Sequence, residues 1–174
     1  MGRTTPIRIV IAYDNYADGI RAWELSERLA SRFREDFGVD RDLWKFDLLR
    51  DPNPQVRLAS LVAVSHADLV VIAAGGFENL PLEVQAWIES WPRRKVGAWA
   101  ALVASVGPDA QGPIQGLPVS TYLRQRAEDL GMEFFSNAGN EPRAFERLLE
   151  SDQFVPEPRR AEPAGNFGRQ EPGW

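Results

Sequence analysis

A chain of 174 residues with a 44% apolar share fits one globular domain and a tail. Its net charge of −5 and pI near 5.0 argue against a protein that grips nucleic-acid phosphates, since such proteins carry a basic face. The absence of Cys excludes disulfides, thiolate nucleophiles and Cys-based metal centres, and a lone His66 leaves no material for a His relay or a His-rich metal site. The first apolar run, Ile7 to Tyr13, is too short for a signal peptide and is interrupted by Arg8. No run reaches the roughly 20 apolar residues of a membrane span. A soluble, cytoplasmic protein with no membrane contact is expected.

Ile7 to Tyr13 is β-branched and predicts the first strand. Asp14 or Asn15 opens a helix in which Ala22, Leu25, Leu29 and Phe33 recur at helical spacing, and Gly38 suits its end. Leu43 to Leu48 alternates, with Trp44, Phe46 and Leu48 opposed to Lys45 and Asp47, and predicts an edge strand. Asp51-Pro-Asn-Pro54 carries helix-start chemistry for a second helix that ends near His66. There the imidazole suits the negative end of the helix dipole better than catalysis.

Leu69 to Ala74 is continuously apolar, as in a central parallel strand covered on both faces. Pro81 opens a third helix. Its Val84, Trp87, Ile88 and Trp91 form a stripe for core packing, with a partner or dimer face as the functional alternative. Trp23 lies off the apolar stripe of the first helix and suits a rim or interface aromatic. Pro92 stops the third helix, and Arg93, Arg94 and Lys95 then form a short basic turn. Trp99 to Val106 predicts a fourth strand, Gly107 to Gly116 a loop, and Pro118 to Leu130 a fourth helix stopped by Gly131. Met132 to Ser136 predicts the fifth strand, and a last helix runs from Glu141 to about Glu150.

Five strands alternating with helices give right-handed crossovers and a three-layer α/β fold. The expected fold is flavodoxin-like: a five-stranded parallel sheet of order 2-1-3-4-5 with helices on both faces and an irregular C-terminal tail. The domain covers residues 1–152, and residues 153–174, rich in Pro and Gly, form the tail.

Ligands of such sheets sit at the carboxyl ends of the strands, where the first and third strands part. The candidate ligand-binding residues there are Asp14, Asn15, Tyr16 and Asp18 after the first strand, and Gly75, Gly76, Phe77, Glu78 and Asn79 after the third. Ser105 and Asp109 follow from the fourth strand and Asn137 from the fifth. No nucleophile stands at the end of the third strand, so no catalytic residue is assigned. Flavodoxins hold a flavin phosphate in an uncharged, hydroxyl-rich loop at the first helix, whereas this loop brings Asp14 and Asp18. A small anionic ligand is therefore disfavoured and no cofactor is expected, with FMN or Mg²⁺ the alternatives. The oxygen-rich loops suit Mg²⁺ or Ca²⁺, but Asp14 and Asp109 are more simply read as helix caps or as acceptors for loop N–H groups.

The chain also resembles the receiver domains of bacterial response regulators. Ile9-Val-Ile-Ala-Tyr-Asp-Asn15 is similar to their first strand and acidic pair, with Tyr13 in place of one acid. Asp68-Leu-Val-Val-Ile-Ala73, followed by Leu82-Glu-Val84, is similar to the surroundings of their phosphorylated Asp, with Ala73 at the acceptor position. Ser105 stands for their small hydroxyl residue. Ser136 and Asn137 stand after Gly131-Met-Glu-Phe-Phe135, where the family has Lys-Pro. Over residues 7–150 this resemblance implies a receiver-like module that cannot be phosphorylated: a non-catalytic regulatory unit acting on a protein partner or as a homodimer. The alternative reading is a flavodoxin-like flavin or nucleotide binder that stacks its ligand on Tyr16 or Phe77. A third is a small hydrolase or transferase using Asp14, Glu78 or Glu83. Glu83 lies near the place where nucleoside deoxyribosyltransferases carry a Glu nucleophile.

Overall fold

A computed structural model describes residues 6–33, 38–75, 79–94, 98–106 and 118–137. The expected helix at Glu141, the tail and the loop from Gly107 to Gly116 lie outside the described residues, as do the candidate residues Gly76, Phe77, Glu78 and Asp109. The elements are β1 (Ile7–Tyr13), α1 (Tyr16–Phe33), β2 (Val39–Lys45), α2 (Phe46–Leu49) and α3 (Pro54–Ser65). Then follow β3 (Leu69–Ala74), α4 (Leu82–Glu89), β4 (Ala101–Val106), α5 (Pro118–Leu130) and β5 (Glu133–Asn137). All strand pairs are parallel, in the order β2-β1-β3-β4-β5. This is the expected flavodoxin-like sheet.

Alternation along each central strand divides the core into two layers, because successive side chains leave a strand on opposite faces. Ile7, Ile9 and Ile11 of β1, Leu69 and Val71 of β3, and Ala101 and Val103 of β4 pack on Ala22 and Leu25 of α1. Val10, Val70, Ile72 and Leu102 pack on the other face against Val64, Val84, Trp87, Ile88 and Leu123. Each large side chain removed from water in this way contributes about 1.5–3 kcal/mol. The Trp stripe of α4 is core: Trp87 and Trp91 meet edge to face at 4.9 Å, and Trp87 Nε1 donates to Ser60 Oγ at 2.9 Å. A partner face built from this stripe is thereby excluded, since Trp87, Ile88 and Trp91 are all buried.

The helix ends follow their local chemistry. Asn53 caps α3, its Oδ1 accepting from the Gln55 N–H at 2.9 Å, and Pro54 occupies the first turn. At the other end of α3, His66 Nδ1 lies 2.9 Å from the Val62 carbonyl, and Arg94 donates to the Val64 and Ser65 carbonyls. α5 stops at Gly131, whose φ of +72° admits glycine with little strain. The Gly131 and Met132 N–H groups return to the Glu128 and Ala127 carbonyls.

Three boundaries differ from expectation. The edge strand is Val39–Lys45, not Leu43 to Leu48. Seven residues pair with β1, and Phe46 then turns into the short α2, where it is buried while Leu48 is exposed. Asp40, Arg41 and Asp42 are weak strand formers, and pairing with the buried β1 overrides that preference. β4 begins at Ala101 rather than Trp99, and β5 spans Glu133–Asn137, one residue later than expected. Among the described residues no helix is long and apolar enough to cross a membrane.

Candidate functional site

The last row that spans all five strands lies one residue short of the carboxyl ends of β3 and β4, which pair once more at Ala74 and Val106. Lys45 pairs with Tyr13, Tyr13 with Ala73, Ala73 with Ser105, and Ser105 with Asn137. By strand alternation Tyr13, Ala73 and Ser105 face the α1 layer. Ala73, at the position matching a receiver's acceptor, is buried, as is Ser105. The Asp14 N–H continues the β1–β3 ladder by donating to the Ala73 carbonyl at 3.3 Å. The candidates Asp14, Asn15, Tyr16, Asp18 and Gly75 therefore gather where β1 and β3 separate, with Ser105 and Asn137 along the same row on β4 and β5 and Asn79 exposed beyond β3.

The β1–α1 turn is closed by its own side chains. Asn15, not Asp14, caps α1: its Oδ1 accepts from the Asp18 N–H at 3.0 Å. Asp18 is 1% exposed, which the sequence did not reveal for a charged residue in a turn. Its Oδ1 pairs with Arg21, while Oδ2 is buried without a hydrogen-bond partner among the described residues. Burial pushes the Asp18 carboxyl above its ordinary value of 3.8. Arg21 opposes this, Asp14 adds to it, and the Asn15 backbone opposes it again. Gly75 faces this carboxylate. A Cβ added at Gly75 would lie 2.9 Å from Asp18 Oδ2, 3.2 Å from Oδ1 and 3.4 Å from Asn15 Nδ2. The glycine after β3 is there for space, since its φ is not positive.

On the other flank of α1 a recess of about 180 Å³ is lined by Tyr13, Tyr16, Gly19, Ile20, Trp23 and Leu43. Gly19 lets the Tyr13 ring lie against the helix: a Cβ there would come within 2.9 Å of Tyr13 Cδ2. Tyr16 is 81% exposed at the rim. Trp23 is also exposed, as expected of a rim aromatic. The Arg41 guanidinium lies over its ring at 4.7 Å, while Arg41 also reaches Ser26 Oγ and Glu27. Sequence reasoning missed Gly19, Ile20 and Leu43 as part of this wall. The one available signal was a glycine in the first turn of an otherwise regular helix.

A larger cavity of about 740 Å³ lies at the amino halves of β1 and β2 against α3, between Arg8, Asp40, Asp42, Leu58, Val62 and His66. It is at the opposite end of the strands from the switch point, and a sheet of this type places its ligands at the carboxyl end. No group of three or more metal-ligating side chains occurs among the described residues. Asp14 and Asp18 are therefore not joined there by a third ligand. Glu83, the candidate nucleophile, is exposed in the first turn of α4.

No protein-family model matches the chain, and no curated protein matches it either. Among solved structures, the chain is similar to an azoreductase from Bacillus anthracis, at 14% identity and a TM-score of 0.44 over 82% of this chain and 93% of that one. It is similar to an NAD(P)H:quinone oxidoreductase from Methanothermobacter marburgensis, at 12% identity and a TM-score of 0.45 over 83% and 92% of the two chains. It is also similar to a flavodoxin-like domain from Synechococcus sp., at 19% identity and a TM-score of 0.45 over 82% and 91%. None of the three is a receiver domain, and two bear the names of oxidoreductases. The expected non-catalytic, receiver-like module is corrected on this finding. The flavodoxin-like fold stands on the strand order itself.

Proposed function

We propose that the chain binds a planar heteroaromatic ligand, a flavin or a nucleotide base, at the carboxyl edge of its sheet. The observation that supports this is the aromatic recess beside the switch point, walled by Tyr13, Trp23 and Leu43 with Tyr16 exposed at its mouth. An exposed Tyr on a rigid first helical turn offers a flat apolar face at small entropic cost, and ring systems stack on such faces. The recess is smaller than the roughly 300 Å³ at which ligand pockets usually begin. It therefore takes one part of a ring system, with the remainder lying over Tyr16.

A flavin of the FMN type raises a specific question of fit. The phosphate place of this fold, the first turn of α1, holds the Asp18 carboxylate, and the Asp18 N–H is already taken by Asn15. A phosphate dianion does not fit there. An uncharged ring system beside Tyr16 meets no such repulsion. Thermal denaturation with increasing riboflavin, and separately with adenosine, tests the reading. A midpoint that rises with ligand concentration supports it, because a ligand that binds only the fold stabilises it by mass action. No shift with either ligand at millimolar concentration refutes it.

A further inference from the structure

We infer that Asp18 makes the carboxyl-edge site selective for a phosphate-free ligand, a nucleoside or riboflavin-type molecule rather than its phosphate ester. This rests on the binding reading above and names its ligand class. Three observations carry it. The carboxylate is buried beneath the α1 first turn, its Oδ2 has no hydrogen-bond partner among the described residues, and it points at the space left by Gly75. The N-terminal end of α1, ordinarily an anion site, is thus filled from within: Asn15 Oδ1 takes the Asp18 N–H and the Asp18 side chain supplies the negative charge. Arg21 hydrogen-bonds Oδ1 and leaves Oδ2 without such a bond. The exposed Asp14 adds a second carboxylate to the same turn. A phosphate arriving here meets like charge where other members of the fold class offer donors.

The experiment compares dissociation constants of riboflavin with FMN, and of adenosine with AMP, for the unaltered protein and for Asp18→Asn. Asp18→Ser is measured in parallel as a second uncharged variant. The phosphate-free member of each pair is expected to bind the unaltered protein at least about tenfold more tightly, the size of a partly screened charge–charge term. In Asp18→Asn the ratio is expected to fall towards one, chiefly through stronger binding of FMN and AMP. Equal binding of both members by the unaltered protein, or a ratio that neither substitution changes, overturns the selectivity while leaving the binding reading intact. Binding of none of the four ligands overturns the binding reading, and the selectivity falls with it.

Discussion

Gly75→Ala tests whether the Asp18 carboxylate occupies the space in front of β3. The new methyl carbon would stand 2.9 Å from Asp18 Oδ2, closer than real Cβ contacts come, and 3.2 Å from Oδ1, a tight contact. Asp18 has little room to yield, because its backbone N–H is held by Asn15 and its Oδ1 by Arg21. Overpacking of this kind costs about 1–3 kcal/mol, and replacing Gly by Ala returns about 0.4–1 kcal/mol by restricting the unfolded chain, so the net loss is about 1–2 kcal/mol. Gly75 lacks a positive φ, so no backbone strain contributes. In an Asp18→Ala background the obstruction is gone, and Gly75→Ala is expected to be neutral or stabilising by up to about 1 kcal/mol. Urea unfolding followed by far-ultraviolet circular dichroism gives all four corners of the cycle. A cost for Gly75→Ala that is the same with and without Asp18, or no cost at all in the unaltered protein, refutes the reasoning.

Two further outcomes follow from the same geometry. The folded-state pKa of Asp18 lies above 3.8, so its contribution to stability is fully present below that pH and is lost as pH rises through the folded value. The stability of Asp18→Asn relative to the unaltered protein is therefore expected to improve between pH 4 and pH 7, and urea midpoints across that range check it; a relative decline contradicts it. Ser60→Ala leaves the buried Trp87 indole N–H without its acceptor and is expected to cost about 1–3 kcal/mol in the same urea assay. In a Trp87→Phe background, which has no such donor, the cost should be markedly smaller.

The sheet was legible because its signals are strong. Leu69 to Ala74 is apolar without interruption, and the helices of α3 and α5 begin and end with Asn53, Pro54 and Gly131, whose chemistry is local. The edge strand was misplaced because Asp40, Arg41 and Asp42 mask a strand that only pairing with β1 makes favourable. Gathering Asp14, Asn15, Tyr16 and Gly75 at one crevice needed only the topology. The burial of Asp18 was not legible. Helical spacing places it in the first turn of α1, but its inward orientation depends on the missing side chain at Gly75, at the end of the neighbouring strand β3. The recess was hidden for a similar reason. Tyr13, Gly19 and Leu43 come from three elements, and their contact depends on the β1–β2 register.

The central claim is that ring systems stack at Tyr16 beside the switch point. Its most direct measurement is a riboflavin fluorescence titration of the unaltered protein and of Tyr16→Ala, which alters an exposed side chain and leaves the core untouched. Saturable quenching by the unaltered protein, weakened about tenfold or more in Tyr16→Ala, is the predicted result, in line with about 1–3 kcal/mol for stacking a base on an aromatic side chain. An emission unchanged by the unaltered protein, or quenching of the same strength by Tyr16→Ala, would contradict it.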